Sequence, residues 1–302
     1  MKVLANDGMA ASAAEKLKSL GYDVDLHHYE GEELNKKIQE IDCIIIRSAT
    51  KIRKQLIDEA LKTKQLKLII RAGVGIDNID HQYAQEQGIA VHNTPNSSSD
   101  AVAELALGHM FTLARHLHQA NVTMRNGEWN KKAYKGIELN GKTLGLIGFG
   151  RIAQSLAKKA QALGMKIIYN DLNGPTDSVE DCRFATKEEL LKEADFVSLH
   201  IPFVKELGSV INKEEFQMMK PTAYLINAAR GGVVNETDLI EALNQKELAG
   251  AALDVFEQEP VKNELIFKHP MISLTPHIGA STAEAQERIG QETIDVIIKT
   301  LK

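Results

Sequence analysis

The chain has 302 residues, 43% hydrophobic and 25% charged, with a formal net charge of −5; this is ordinary globular composition and enough length for one large or two medium domains. Lys and Arg are spread along the chain rather than run together, which argues against a nucleic-acid-binding face. Two cysteines, Cys43 and Cys182, cannot build a disulfide scaffold, and no apolar run approaches membrane-spanning length.

The opening MKVLAND reads as a strand, too short and too soon interrupted for a signal peptide, so the expected location is the cytoplasm, with no membrane partner. Strands are predicted at Lys2–Ala5, Asp23–His27, Cys43–Ile46, Lys67–Ile70 and Ala90–His92. Helices are predicted between them, near Ala10–Leu20, Glu32–Ile38, Lys54–Ala60 and Gln82–Gln87. Cys43 lies in an apolar strand, where a buried thiol is the default. The polar cluster HNTPNSSSD then forms a loop whose Ser99 or Asp100 can cap the next helix. That helix is expected to be one long element from Ala101 to about Arg125, heavily buried as far as Leu117.

The segment KTLGLIGFGRIAQSLAKKAQALGMKIIYND, Lys142–Asp171, carries the strongest signal. It reads as strand, glycine turn, helix, strand and acid, the order a dinucleotide-binding βαβ unit needs. Gly148 permits the tight turn, Gly150 lets backbone approach a pyrophosphate, and Ala153 keeps helix and strand close. The helix N-terminus offers N–H groups and a positive dipole end to phosphates. Asp171 can accept from both hydroxyls of an adenosine ribose and repels a 2′-phosphate, so the expected cofactor is NAD rather than NADP.

Further strands are predicted at Phe196–Leu199, Ala223–Ile226, Gly250–Leu253 and Ile272–Leu274. Thr186 and Asn212 read as helix N-caps with acids after them, and a last helix runs from about Thr282 to Leu301. The alternation of strands and helices implies an α/β fold with parallel sheets. Three strand ends carry polar residues: Arg230, then Asp254 with Glu259, then His277. Ligands of open parallel sheets bind outside these carboxyl ends. Their chemistry suits hydride transfer between a nicotinamide and a 2-hydroxy acid. Arg230 offers a planar fork for carboxylate and reacting oxygen. His277 supplies the acid or base, and Glu259 is the candidate to orient its ring. Asp254 is placed to accept from the nicotinamide carboxamide, and Ala228 and Gly279 join the cofactor set. Taken singly, each of these residues has an ordinary use in a surface pair or a turn. The remaining histidines are read as structural; His200 ends a strand on the cofactor side, where it can line a pocket without reacting. No Cys, His or carboxylate spacing makes a metal site.

The motifs GLIGFGRIA (Gly145–Ala153), LINAARGGVVNETDLIEAL (Leu225–Leu243), LDVFEQEP (Leu253–Pro260) and TPHIGAST (Thr275–Thr282) resemble those of the NAD-dependent D-isomer-specific 2-hydroxyacid dehydrogenases. The resemblance runs over essentially the whole chain. It implies a catalytic set of Arg230, Glu259 and His277, with Asp171 on the ribose, Arg151 and Ile152 along the pyrophosphate, and Asp254 at the nicotinamide. It also implies two Rossmann-like domains, with a discontinuous substrate domain at residues 1–98 and 283–302 and an NAD-binding domain at residues 99–282. A homodimer through the NAD-binding domain is implied as well; the long helix and Asn126–Gly136, with Trp129 and Tyr134, are candidate interface, or else pack on their own domain.

The loops IIIRSATKI (Ile44–Ile52) and IIRAGVGIDNID (Ile69–Asp80) resemble substrate loops of the members that oxidise 3-phospho-D-glycerate, the entry step to serine. Val74 and Gly75 then hold a carboxylate and Arg47 and Arg71 a phosphate; alternatively these arginines only solvate strand ends. Longer members carry a C-terminal serine-binding regulatory domain, so feedback of that kind is not expected here. Ala153, where the family often has glycine, is a mild departure. Alternatives are another D-2-hydroxyacid, such as glyoxylate, glycerate or 2-hydroxyglutarate, or an NAD-sensing binding protein.

Overall fold

The computed structural model describes residues 1–301, which divide into two compact units: Met1–Ser98 with the segment from Ala280, and Ser99–Gly279. The first unit alternates β1 (Lys2–Ala5), α1 (Ala11–Ser19), β2 (Asp23–Asp25), α2 (Gly31–Lys37), β3 (Cys43–Ile46), α3 (Lys54–Leu61), β4 (Leu68–Arg71), α4 (His81–Glu86) and β5 (Ala90–Asn93). Its strands form a five-stranded parallel sheet in the order β2-β1-β3-β4-β5. The central β3 is buried at all four positions, as a strand covered on both faces must be. Its alternate residues feed opposite layers: Cys43 and Ile45 pack with Leu17 and Ile70, while Ile44 and Ile46 pack with Ile38 and Ile57.

The second unit contains α5 (Ser99–Ala114), α6 (Leu117–Arg125), a 3-10 turn at Lys131–Ala133, β6 (Thr143–Ile147), α7 (Arg151–Ala162), β7 (Lys166–Asn170), β8 (Cys182–Phe184), α8 (Lys187–Glu193), β9 (Phe196–Leu199), α9 (Lys213–Met218), β10 (Tyr224–Asn227), α10 (Glu236–Asn244), β11 (Gly250–Leu253), α11 (Glu264–Phe267) and β12 (Ile272–Leu274). Its seven parallel strands run β12-β11-β10-β9-β6-β7-β8. The chain leaves the middle of the sheet at β6, builds one edge, and returns beside β6 with β9. That reversal opens a crevice at the carboxyl ends of β6 and β9, the ordinary ligand position of such sheets. One core layer joins Val197, Leu225 and Leu253 to α8 through Leu190 and to α10 through Leu239. The other joins Phe196, Tyr224 and Ile226 to Met110 of α5 and Leu156 of α7. The closing helix α12 (Ala283–Thr300) belongs to the first unit, where it packs on α1, and Gly290 leaves room for Ala13.

The long helix expected from Ala101 is two helices. His116 sits at φ 53° between α5 and α6, and Ile137 N–H donates to the carbonyl of Ala114 at 2.9 Å. A Cβ on Gly136 would fall 2.3 Å from that carbonyl, so this stretch of chain crosses where the helix would have continued. The helix also starts earlier, at Ser99, whose hydroxyl caps nothing; Asp100 instead binds Ser155 and Lys159 of α7. Thr186 and Asn212 both form capping boxes, with Glu189 and Glu215. Two short elements, β8 and α11, have no sequence periodicity that predicts them. Among the described residues, no helix is long and apolar enough to cross a membrane.

Candidate active site

The glycine turn lies at the reversal point of the seven-stranded sheet. Gly148 comes directly after β6 at φ 85°, a left-handed conformation that costs other residues about 1–2 kcal/mol. A Cβ there would also lie 2.6 Å from the carbonyl oxygen of His200. Gly150 is extended, and a Cβ on it would meet nothing within 4 Å, so it borders open space at the start of α7. No side chain caps that helix, whose first turn presents Arg151 and Ile152. Open space before an uncapped helix N-terminus fits a pyrophosphate. Ala153 is fully buried against β6 side chains. Gly148→Ala is expected to destabilise the folded protein by about 1–2 kcal/mol, the strain of a left-handed side chain; urea denaturation checks it.

Asp171 lies directly after β7. Its Oδ2 accepts from Phe149 N–H at 2.7 Å, and its Oδ1 accepts from the backbone and side-chain N–H groups of Asn173 at 2.9 Å. Burial pushes this carboxyl upward, but those donors outweigh it and hold it below the usual carboxylate range. It is therefore an anion at the tip of the second strand, tied to the glycine turn. His200, at the end of β9, pairs with the Ser198 hydroxyl at 3.0 Å. Packing against its ring pushes it down to about 4 although the residue keeps some solvent contact, so it is neutral near pH 7.

At the other strand ends, the structure brings His277 and Glu259 together across 18 residues of chain, Nδ1 to Oε2 at 2.8 Å. Burial raises the Glu259 carboxyl, but the bond and charge of His277, the Phe256 N–H and the charge of Arg230 together hold it below the usual range. Arg230 is thus close enough to act electrostatically on the pair, and its Nη1 donates to the Ala229 carbonyl at 2.6 Å. The Arg230 turn is built by Asn227, buried at the end of β10, which accepts from Ala229 N–H and donates to the Arg230 carbonyl. Ala228 lies in that turn. Gly231 is required because a Cβ would fall 1.7 Å from the Phe256 carbonyl, where the Arg230 and Glu259 loops touch.

Asp254 is 1% exposed and faces the loop that carries His277. Its Oδ1 accepts from the Thr275 hydroxyl at 2.6 Å and Ile278 N–H at 2.8 Å, its Oδ2 from Gly279 N–H at 2.9 Å, and its carbonyl from His277 N–H at 2.8 Å. These bonds occupy three of its side chain's roughly four acceptor positions. The Gly279 N–H is used internally by the same contact. His277 itself is left-handed, at φ 54°. Only the fold discloses Asn227 and the reciprocal pair of Glu236 and Glu257, each accepting the other's backbone N–H beside the Glu259 loop.

In the five-stranded sheet, Arg47 comes directly after β3, and Arg71 ends β4 beside Ile46. Asp7, at the end of β1, accepts from the backbone of Arg47 at 2.6 Å and from Thr50, so it shapes this loop without a sequence signal of its own. The Arg47 guanidinium binds Gln286 of α12, while its Nε is buried with no hydrogen-bond partner. The Arg71 guanidinium occupies the space a Gly73 side chain would need. Val74 and Gly75 come next in that loop, Val74 with its carbonyl taken by Asn93. In the 126–136 segment, Trp129 is 78% exposed, whereas Tyr134 bonds Thr123 within its own unit.

A glycine turn against an uncapped helix, an acid after the second strand, and an imidazole–carboxylate pair beside a guanidinium are the parts a nucleotide-dependent oxidoreductase site requires. The profile of the D-isomer specific 2-hydroxyacid dehydrogenase, NAD binding domain, matches residues 107–279. The chain is 45% identical to a hydroxypyruvate reductase of Thermotoga maritima, covering 99% of this chain and 98% of that one. It is 42% identical to a D-3-phosphoglycerate dehydrogenase of Methanocaldococcus jannaschii, covering 100% of this chain and 58% of that one. It superposes on a glyoxylate reductase from Paecilomyes thermophila with a TM-score of 0.90 at 28% identity, covering 100% of this chain and 95% of that one. The chain belongs to the NAD-dependent D-isomer-specific 2-hydroxyacid dehydrogenases.

Proposed function

We propose that the protein oxidises 3-phospho-D-glycerate to 3-phosphohydroxypyruvate, the first step towards serine. The reaction class rests on the His277–Glu259 pair beside Arg230. NAD would supply the hydride acceptor: Gly148, Gly150, Arg151 and Ile152 would hold its pyrophosphate, Asp171 its adenosine ribose, and Ala228, Asp254 and Gly279 would line its nicotinamide end. Because Glu259 takes Nδ1, His277 presents Nε2 to the substrate hydroxyl and removes its proton there. Glu259 fixes the ring's tautomer and balances the charge it gains. Arg230 holds the substrate carboxylate and the oxygen that becomes the carbonyl.

The phosphate assignment rests on Arg47, whose buried Nε has no hydrogen-bond partner within the protein. A phosphate oxygen would supply one, with Arg71 as the second cation and Val74 and Gly75 at the carboxylate end. Arg47→Ala is expected to raise KM for the phosphorylated substrate at least ~10-fold, the value of a hydrogen bond to a charged group, and to leave hydroxypyruvate nearly unaffected. Steady-state NADH absorbance with phosphohydroxypyruvate, hydroxypyruvate, glyoxylate and 2-oxoglutarate tests the assignment. Equal effects of Arg47→Ala on all four would favour an unphosphorylated substrate, the reading supported by the similarity over nearly full length to a hydroxypyruvate reductase. Binding of NAD without turnover of any acid would favour a sensor. The exposed Trp129 supports a homodimer formed through the NAD-binding unit in the cytoplasm, which light scattering at several concentrations checks.

A further inference from the structure

Behind the His277 loop lies a largely buried polar chain that ends on Asp254 and begins at a histidine the reaction scheme does not use. His109, on α5, is 4% exposed and lies between two hydroxyls. Its Nδ1 is 3.1 Å from Ser273 Oγ, and its Nε2 is 3.1 Å from Thr275 Oγ1. The Thr275 hydroxyl is in turn 2.6 Å from Asp254 Oδ1.

Proton positions along this chain are set by the partners. A carboxylate can only accept, so at 2.6 Å the Thr275 proton must point at Asp254. The Thr275 oxygen then accepts, and His109 must carry its proton on Nε2. Nδ1 is left as an acceptor for the Ser273 hydroxyl. Every member is satisfied with a neutral imidazole and in only one direction. Burial lowers the affinity of this imidazole for a second proton, opposed by Asp254 and assisted by His118, the two ionisable groups acting on it.

We infer that His109 is a positioning residue for the reaction: its Nε2–H aims the Thr275 hydroxyl at Asp254, and so holds the loop carrying His277 against the end of β11. The Asp254 carboxylate and carbonyl together bind the N–H groups of His277, Ile278 and Gly279. Without the His109 donor, the Thr275 hydroxyl is free to rotate away, and the buried carboxylate loses one of its three donors. His277, already in a left-handed conformation, then loses the constraint that keeps Nδ1 on Glu259.

This inference rests on the proposed role of His277, and its test separates the two. His109→Leu removes the donor, and His109→Gln restores an N–H towards Thr275. Thr275→Val and Thr275→Ser form a second pair should His109→Leu fail to fold. His109→Leu and Thr275→Val are expected to lower kcat about 10-fold, as sub-ångström misplacement of a reacting group does. The pH profile of kcat is displaced in both, and the Gln and Ser variants return to within about 3-fold. In NMR of histidine-labelled protein, the His277 ring signals shift and broaden in His109→Leu. Unaltered kcat, pH profile and His277 signals in folded His109→Leu or Thr275→Val, or a loss confined to melting temperature, overturn the inference. A parent protein without turnover of any 2-keto acid overturns the proposed function instead, and the ring signals still decide on His109.

Discussion

His277→Ala is expected to lower kcat by about 10²–10⁴, the span that a positioned general acid or base contributes, and to leave the NADH dissociation constant within a few-fold of the parent. The separation comes from where the ring sits. Its Nδ1 is engaged by Glu259 and its backbone by Asp254, so Nε2 is the ring nitrogen that the proposed mechanism uses. The glycine turn and Asp171 are built by other strand ends and keep their geometry without it. Single-turnover hydride transfer, read at the NADH band, places the loss in the chemical step. Glu259→Gln serves as the companion variant: the amide oxygen still accepts from Nδ1–H but brings no negative charge to balance an imidazolium. A smaller kcat loss than in His277→Ala is expected. A His277→Ala enzyme with parental kcat would remove the ring from the mechanism.

Arg230→Ala is expected to lower kcat/KM by about 10²–10³, the loss of an oxyanion-type donor, with both parameters affected. The guanidinium is asked to hold a carboxylate in the ground state and a charge-developing oxygen in the transition state. Arg230→Lys recovers only part of the loss, because a lysine is a point donor and cannot span two oxygens with one rigid fork. The charge of Arg230 also helps to keep Glu259 ionised. Its removal should therefore raise the pH below which the Glu259–His277 pair is lost. The sign is that of linkage: a carboxylate depressed in the folded state stabilises above its unfolded value, and that stability disappears as pH falls through the folded value. Comparing kcat and KM profiles of the Ala and Lys variants from pH 4 to 8 distinguishes this charge effect from loss of substrate contact. Parental kcat/KM in Arg230→Ala would exclude the fork from binding and catalysis alike.

The βαβ segment is legible in the sequence because its physical demands are local. A glycine must turn out of β6, a small residue must let α7 approach, and an acid must end β7; all of these fall within Lys142–Asp171. Thr186 and Asn212 are legible for the same reason, since a capping box closes within a few residues. The helix from Ala101 reads wrongly as unbroken because its apolar pattern carries no stop. The interruption at His116 comes from chain that arrives much later, when Gly136 and Ile137 occupy the path and take the Ala114 carbonyl. β8 and α11, at three and four residues, are too short to display a period at all.

Residue types and strand ends alone placed an α/β fold, a dinucleotide turn, and an arginine, a glutamate and a histidine at the carboxyl side of parallel strands. Which atoms meet was a different matter. That Glu259 takes Nδ1 and leaves Nε2 without that partner, that Asn227 shapes the Arg230 turn, and that Asp254 holds the His277 loop with His109 behind it were decided by the tertiary structure. Periodicity and turn chemistry act over a few residues and are written into neighbouring positions. Hydrogen bonds between separate strand ends depend on sheet order and on side-chain directions, which exist only once β6, β9, β10, β11 and β12 lie side by side.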